Sequence, residues 1–110
     1  MSADDQDLRQ ILQMEMKRLQ DDFLTQFPKR LEHLETVWST VQMTGNWQEL
    51  QLLVHTLKGT GLTLGFVQLG NLAATLEHAI KESQSLSACE AHYQALWSEL
   101  SHPTAPVPFD

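Results

Sequence analysis

Basic residues are scarce in this chain. Seven Lys and Arg stand against fourteen Asp and Glu, for a formal net charge of -7. A phosphate backbone needs a basic stripe, so nucleic acid is excluded as a partner. Cys89 is the one cysteine. It rules out an intrachain disulfide and fits a reducing compartment. No apolar run approaches the roughly 18 residues of a membrane span, so membrane insertion is not expected. The first seven residues are polar and acidic, unlike the basic start and apolar stretch of a signal peptide. A cytoplasmic protein is expected. Its 110 residues suffice for one domain with one core, and a monomer is expected.

Glycine and proline are also few, and their positions punctuate the chain. Five helices are predicted, over residues 5–26, 28–42, 47–62, 67–82 and 86–101. In the first, Leu8, Ile11, Leu12, Leu19 and Phe23 fall near one face, which is expected to be the packed face. Phe27-Pro28 ends it, and Pro28 can open the next helix at its first position. Leu31, Leu34, Val37, Trp38 and Val41 recur there at helical steps. Asn46 is placed to cap the third helix and Ser85 the fifth. Gly65 closes the third, where positive φ or close approach calls for a residue without Cβ. Nothing alternates at period two, so no strand competes. Short turns between helices predict an all-α, up-down antiparallel four-helix bundle with an additional helix. The bundle should occupy residues 1–102, and the proline-rich residues 103–110 should form a flexible tail.

The chemistry concentrates in His55-Thr56-Leu57-Lys58-Gly59. Leu50, Leu53, Val54, Leu57 and Gly61 cluster in one arc of the third helix, its core face. His55 lies about 140° from the centre of that arc, so it points to solvent. Lys58 and Gly59 lie beside it on the next turn. An outward imidazole, a neighbouring cation and an empty corner suit a histidine that must meet a bulky anionic group. Glycine inside a helix costs about 1 kcal/mol relative to alanine, and on an exposed face packing does not repay it. Leu52 and Leu62 flank the histidine with Gln51, an apolar frame that reads as a docking patch.

Other chemistries lack support. No helix carries a second His at i+3 or i+4, so a metal-ligand pair is absent and no metal is expected. His33, His78, His92 and His102 are read as structural or solvated. Cys89 falls on the core side of its helix with no nucleophile motif around it. Trp38, Trp47 and Trp97 sit at packing positions. No phosphate-cradling G-x-x-x-x-G-K-[ST] loop occurs, so ATP-dependent autokinase activity is not expected.

The segment from His55 to Gly59, followed by Leu64-Gly65, resembles the signature of histidine-containing phosphotransfer (HPt) domains. Phe23-Leu24, Phe27-Pro28-Lys29-Arg30-Leu31, Gly45-Asn46-Trp47 and Leu76-Glu77 extend the resemblance over about residues 20–83. It implies a phosphorelay module of two-component signal transduction, a phosphocarrier rather than an autonomous enzyme. His55 would accept a phosphoryl group on Nε2 from a receiver-domain aspartate or a hybrid histidine kinase, and pass it to another receiver. Lys58 would take the electrostatic role, Gly59 the access role, Gly65 the tight turn. Glu77 would bond the other ring nitrogen and fix the tautomer. The chain would need no cofactor of its own, because the receiver would supply Mg²⁺. The rival expectation is a helical bundle that docks a receiver or kinase and inhibits it without transfer.

Overall fold

The computed structural model describes residues 3–108. It contains α1 (Ala3–Thr25), α2 (Phe27–Thr44), α3 (Gln48–Thr63), α4 (Val67–Glu82) and α5 (Leu86–Ser101). Links of three residues join α2 to α3, α3 to α4 and α4 to α5, so successive helices run antiparallel. Contacts run α2 to α3, α3 to α4, α4 to α5 and back from α5 to α2. That closes a four-helix bundle, with α1 as the additional helix. Leu34, Val41, Leu50, Val54, Leu57, Leu69, Leu76, Ile80, Cys89 and Leu96 fill its centre. At one end Trp38 stacks on Tyr93 with ring centroids 4.4 Å apart, and Trp47 meets Trp38 edge-on. The tryptophan rings of α2 and its following link thus pack, as their spacing predicts. Trp97 is half-buried against the same core.

Local chemistry sets the ends of the helices. Gly45 takes φ +72° after α2 and donates its N–H to Val41. Asn46 Oδ1 accepts from Gln48 N at 3.0 Å, satisfying one of the free donors at the start of α3. Ser85 does the same for α5, accepting from Ala88 N. Pro28 sits in the first turn of α2, where a missing N–H is harmless.

The expected packed face of α1 is corrected by the structure. Only its C-terminal end is covered. Phe23 is buried and meets Phe27 and Phe66 edge-on, but Leu8, Ile11, Leu12 and Leu19 are exposed. The cause is geometric. A single residue, Gln26, separates α1 from α2, and it too has helical φ and ψ. The pair therefore forms one interrupted rod, and its first part runs past the end of the bundle. The molecule accordingly measures 58 × 25 × 20 Å.

The stretch expected to be a loose tail is anchored as far as it is described. Glu99 accepts from Thr104 N at 2.7 Å and from Thr104 Oγ1 at 3.1 Å. Val107 N donates to Gly65 O, and Gln20 Nε2 donates to both Leu64 O and Val107 O. The tail is thus laid against α1 and the turn after α3. Gly65 has φ +84°, and a Cβ there would lie 2.8 Å from Val107 O. Both reasons for a glycine hold at this turn. Gly65→Ala is expected to cost about 2–3 kcal/mol from left-handed strain and the displaced tail. A fall in Tm of about 10 °C should follow. A thermal melt by circular dichroism checks it.

Candidate functional site

The site is built where α3 crosses α4. Gly61 and Gly70 form the crossing: a Cβ on Gly61 would lie 3.3 Å from Gly70 N. This close approach brings the outer faces of the two helices together one to two turns away. Leu53, Val54 and Leu57 of α3 are buried, which fixes the rotation of the helix. His55 is consequently turned outward, with 66% of its side chain exposed. The outward histidine that periodicity predicts is therefore observed.

Glu77 of α4 is the surprise in burial. The residue is only 6% exposed, yet its carboxylate is fully partnered. Oε2 lies 2.7 Å from His55 Nδ1, and Oε1 lies 2.6 Å from Lys58 Nζ. Lys81, one turn along α4, approaches Oε1 at 4.0 Å. The Lys58 hydrogen bond holds the Glu77 carboxyl below its ordinary range. Burial opposes this, and the His55 bond and the charges of Lys58 and Lys81 assist it. An ionised carboxylate can only accept, so His55 Nδ1 must carry the hydrogen. In the neutral ring the lone pair then resides on Nε2.

The sign of the pH effect follows. A depressed carboxyl contributes stability above the ordinary carboxylate range and loses it as pH falls through the lowered value. Lys58→Ala removes the largest depressing cause and leaves the burial that raises it. Acid unfolding of Lys58→Ala is therefore expected to begin at higher pH than in the wild type. Ellipticity followed down a pH series measures this, and superimposed curves would contradict it.

The remaining residues singled out from sequence divide into two groups. Gly59 is exposed beside His55, with open space where a side chain would stand. Thr56, Thr60, Thr63 and Leu64 line the shallow depression that holds both. Thr60 and Lys81 were not singled out from sequence. Their one signal was the four-residue spacing from Thr56 to Thr60 and from Glu77 to Lys81. Leu52 is 68% exposed, one turn before His55, and borders a groove with Arg30, His33 and Thr56. Gln51 is half-buried. Leu62 is not brought to the depression. It faces Gly70 and a cleft shared with Met16, Gln20 and Val107. Lys58 stands on the next turn from His55, and its ammonium is paired with Glu77.

Elsewhere chemistry is sparse. Cys89 is buried, and burial pushes its thiol up from the ordinary range. Among the described residues no three His, Cys, Asp or Glu side chains gather as a metal site. No helix among them is long and apolar enough to cross a membrane.

An outward histidine backed by a buried, ionised carboxylate sits on a bundle of the expected topology. The family model described as the Hpt domain matches residues 18–102. The chain belongs to the Hpt domain family. It is thus a phosphotransfer module of two-component signalling, and Hpt domains work with receiver domains and kinases in phosphorelays. Searches of curated proteins and of solved structures give no match. The Hpt match covers the bundle together with the C-terminal part of α1, from Arg18 onward.

Proposed function

We propose that His55 is the phosphoacceptor, taking a phosphoryl group from a receiver aspartate, or from a hybrid kinase, and delivering it to a second receiver. The observation that carries this reading is the His55–Glu77 pair: Nδ1 bound at 2.7 Å, the rest of the ring in solvent. In the forward step the Nε2 lone pair attacks phosphorus in line. The N–P bond forms as the P–O bond of the aspartyl phosphate breaks, returning a carboxylate to the receiver. The ring keeps its Nδ1 hydrogen and becomes cationic, and Glu77 faces that charge. In the second step a receiver carboxylate attacks, and the electron pair of the N–P bond returns to Nε2. Such transfer depends on positioning and charge compensation more than on covalent machinery. Mg²⁺, which screens the phosphoryl oxygens, would come with the receiver.

Each neighbour has a part. Glu77 fixes the tautomer and compensates the phosphorylated ring. Lys58 holds Glu77 ionised and stands within a turn of the phosphoryl group. Gly59 leaves room for the phosphoryl group and the approaching loop of a partner. Leu52, exposed one turn before His55 with Gln51 beside it, supplies the ground on which a receiver settles. The competing reading, docking and inhibition without transfer, uses the same surface but has no need of a buried carboxylate on Nδ1.

A two-part assay tests this. Leu52→Glu is expected to weaken receiver binding by about tenfold, the loss of a side chain's apolar contact at an interface. It should leave the melting temperature unchanged. Titration calorimetry reads the first, and a thermal melt the second. Unaltered affinity would remove Leu52 from the docking surface. Transfer of label from a phosphorylated receiver to the wild type, absent in the docking-only case, separates the two readings.

A further inference from the structure

Every residue from Asp4 to Glu15 is exposed, although all lie within α1. Three turns of helix therefore stand in solvent on all sides. Among the described residues α1 packs on no helix but α2. An isolated helix of this length is marginal in water, and this one carries Leu8, Ile11, Leu12 and Met14, each about half exposed or more. Leu8 and Leu12 are one turn apart on the side that farther along carries Met16, Leu19 and the buried Phe23. The face that seats α1 on the bundle continues past the bundle with nothing beneath it.

We infer that this overhang pairs with the same segment of a second copy of the chain, antiparallel, about a two-fold axis near Ile11. The charge pattern selects this occupant and this direction. Asp4, Ile11 and Arg18 are seven residues apart and lie along one edge of the helix, with Leu8 and Leu12 beside them. Antiparallel pairing about Ile11 sets Asp4 of each copy against Arg18 of the other and Ile11 against Ile11. Leu8 of each copy then comes within one turn of Leu12 of the other along the axis. Parallel pairing would set Asp4 on Asp4 and Arg18 on Arg18. Arg18 now bonds Glu15 and Asp22 across the helix surface at 2.9 and 3.2 Å. Those are exposed pairs that exchange at little cost, so its guanidinium can also reach a partner. A helix pair of three turns is a small interface, at the weak end of specific association. The two bundles would lie at opposite ends of the paired helices. His55 lies on α3, outside the overhang, so both copies would stay open to receivers. The inference is independent of the chemistry at His55, and it replaces the expectation of a monomer.

Sedimentation equilibrium of the full chain, over micromolar to millimolar concentration, tests it. Reversible dimerisation toward twice 12.5 kDa is expected. Leu12→Glu should abolish it with little loss of helix signal. Asp4→Arg should weaken it by about tenfold, as two symmetric ion pairs turn repulsive. Asp4→Arg combined with Arg18→Asp should restore it. A wild type that stays monomeric throughout, or a dimer indifferent to Leu12→Glu, overturns the proposal. Failure of the double reversal to restore association overturns the antiparallel arrangement.

Discussion

His55→Gln is expected to end phosphotransfer while leaving the fold intact. The side chain is two-thirds exposed, and its one strong contact is with Glu77. Glutamine can still offer an amide N–H to that carboxylate, so the buried charge keeps a partner. What is lost is the ring nitrogen that bonds to phosphorus. An amide is no nucleophile, so label received from a phosphorylated receiver should fall to background. The melting temperature should shift by no more than a degree or two, since surface substitutions cost about 0.5 kcal/mol or less. Radiolabel transfer and a thermal melt on the same preparation separate the effects. Loss of helicity would recast His55 as structural. Residual transfer would place the acceptor elsewhere.

Glu77 commands the second large effect. Glu77→Ala removes the acceptor that holds Nδ1–H and the carboxylate that faces the phosphorylated ring. The imidazole then samples both tautomers and more than one rotamer. Transfer is expected to slow by about 10- to 100-fold, the size of effect seen when a ring-orienting partner is removed from ligating histidines elsewhere. Glu77→Gln separates the two contributions. Its amide oxygen can still accept from Nδ1, so orientation survives while the charge is gone. Its rate should lie between wild type and Glu77→Ala. Stability should fall by about 1 kcal/mol in the alanine variant, because Lys58, with 30% of its side chain exposed, can turn to water. Stopped-flow transfer kinetics for the three proteins provide the comparison. Equal rates for glutamine and alanine would assign the whole effect to charge. Rates equal to wild type would reduce Glu77 to packing.

What could be read before the structure differs from element to element, for physical reasons. The rotation of α3 was legible because Leu50, Leu53, Val54 and Leu57 define a face, and a helix has one rotation once its face is known. His55 followed. The partnership with Glu77 came through family resemblance alone. Periodicity places Glu77 at the edge of α4, and only the close crossing at Gly61 and Gly70 turns that edge position into a buried one. Lys58 was legible as a cation beside His55, but its pairing with Glu77 was not, because that partner lies on another helix. The overhang of α1 shows the converse limit. Leu8, Ile11 and Leu12 do form an apolar face, but a pattern states which residues share a side and not what lies under them. The contacts of residues 103–108 were not legible from composition. Proline signals the absence of a helix, whereas Thr104 is held by Glu99 at the end of α5 and Val107 by Gln20 and Gly65, which are far away in sequence. Gly65 itself was legible as a turn, though not as the seat of the tail.

The proposed role of the His55–Glu77 pair is most directly tested by locating the phosphoryl group. The chain is incubated with a phosphorylated receiver, kept at alkaline pH, and examined by ³¹P and ¹⁵N NMR together with peptide mass spectrometry. The account predicts a single acid-labile phosphoryl group on Nε2 of His55, discharged when a second receiver is added. No label, attachment at Nδ1, or a phosphoryl group on any other residue would contradict it.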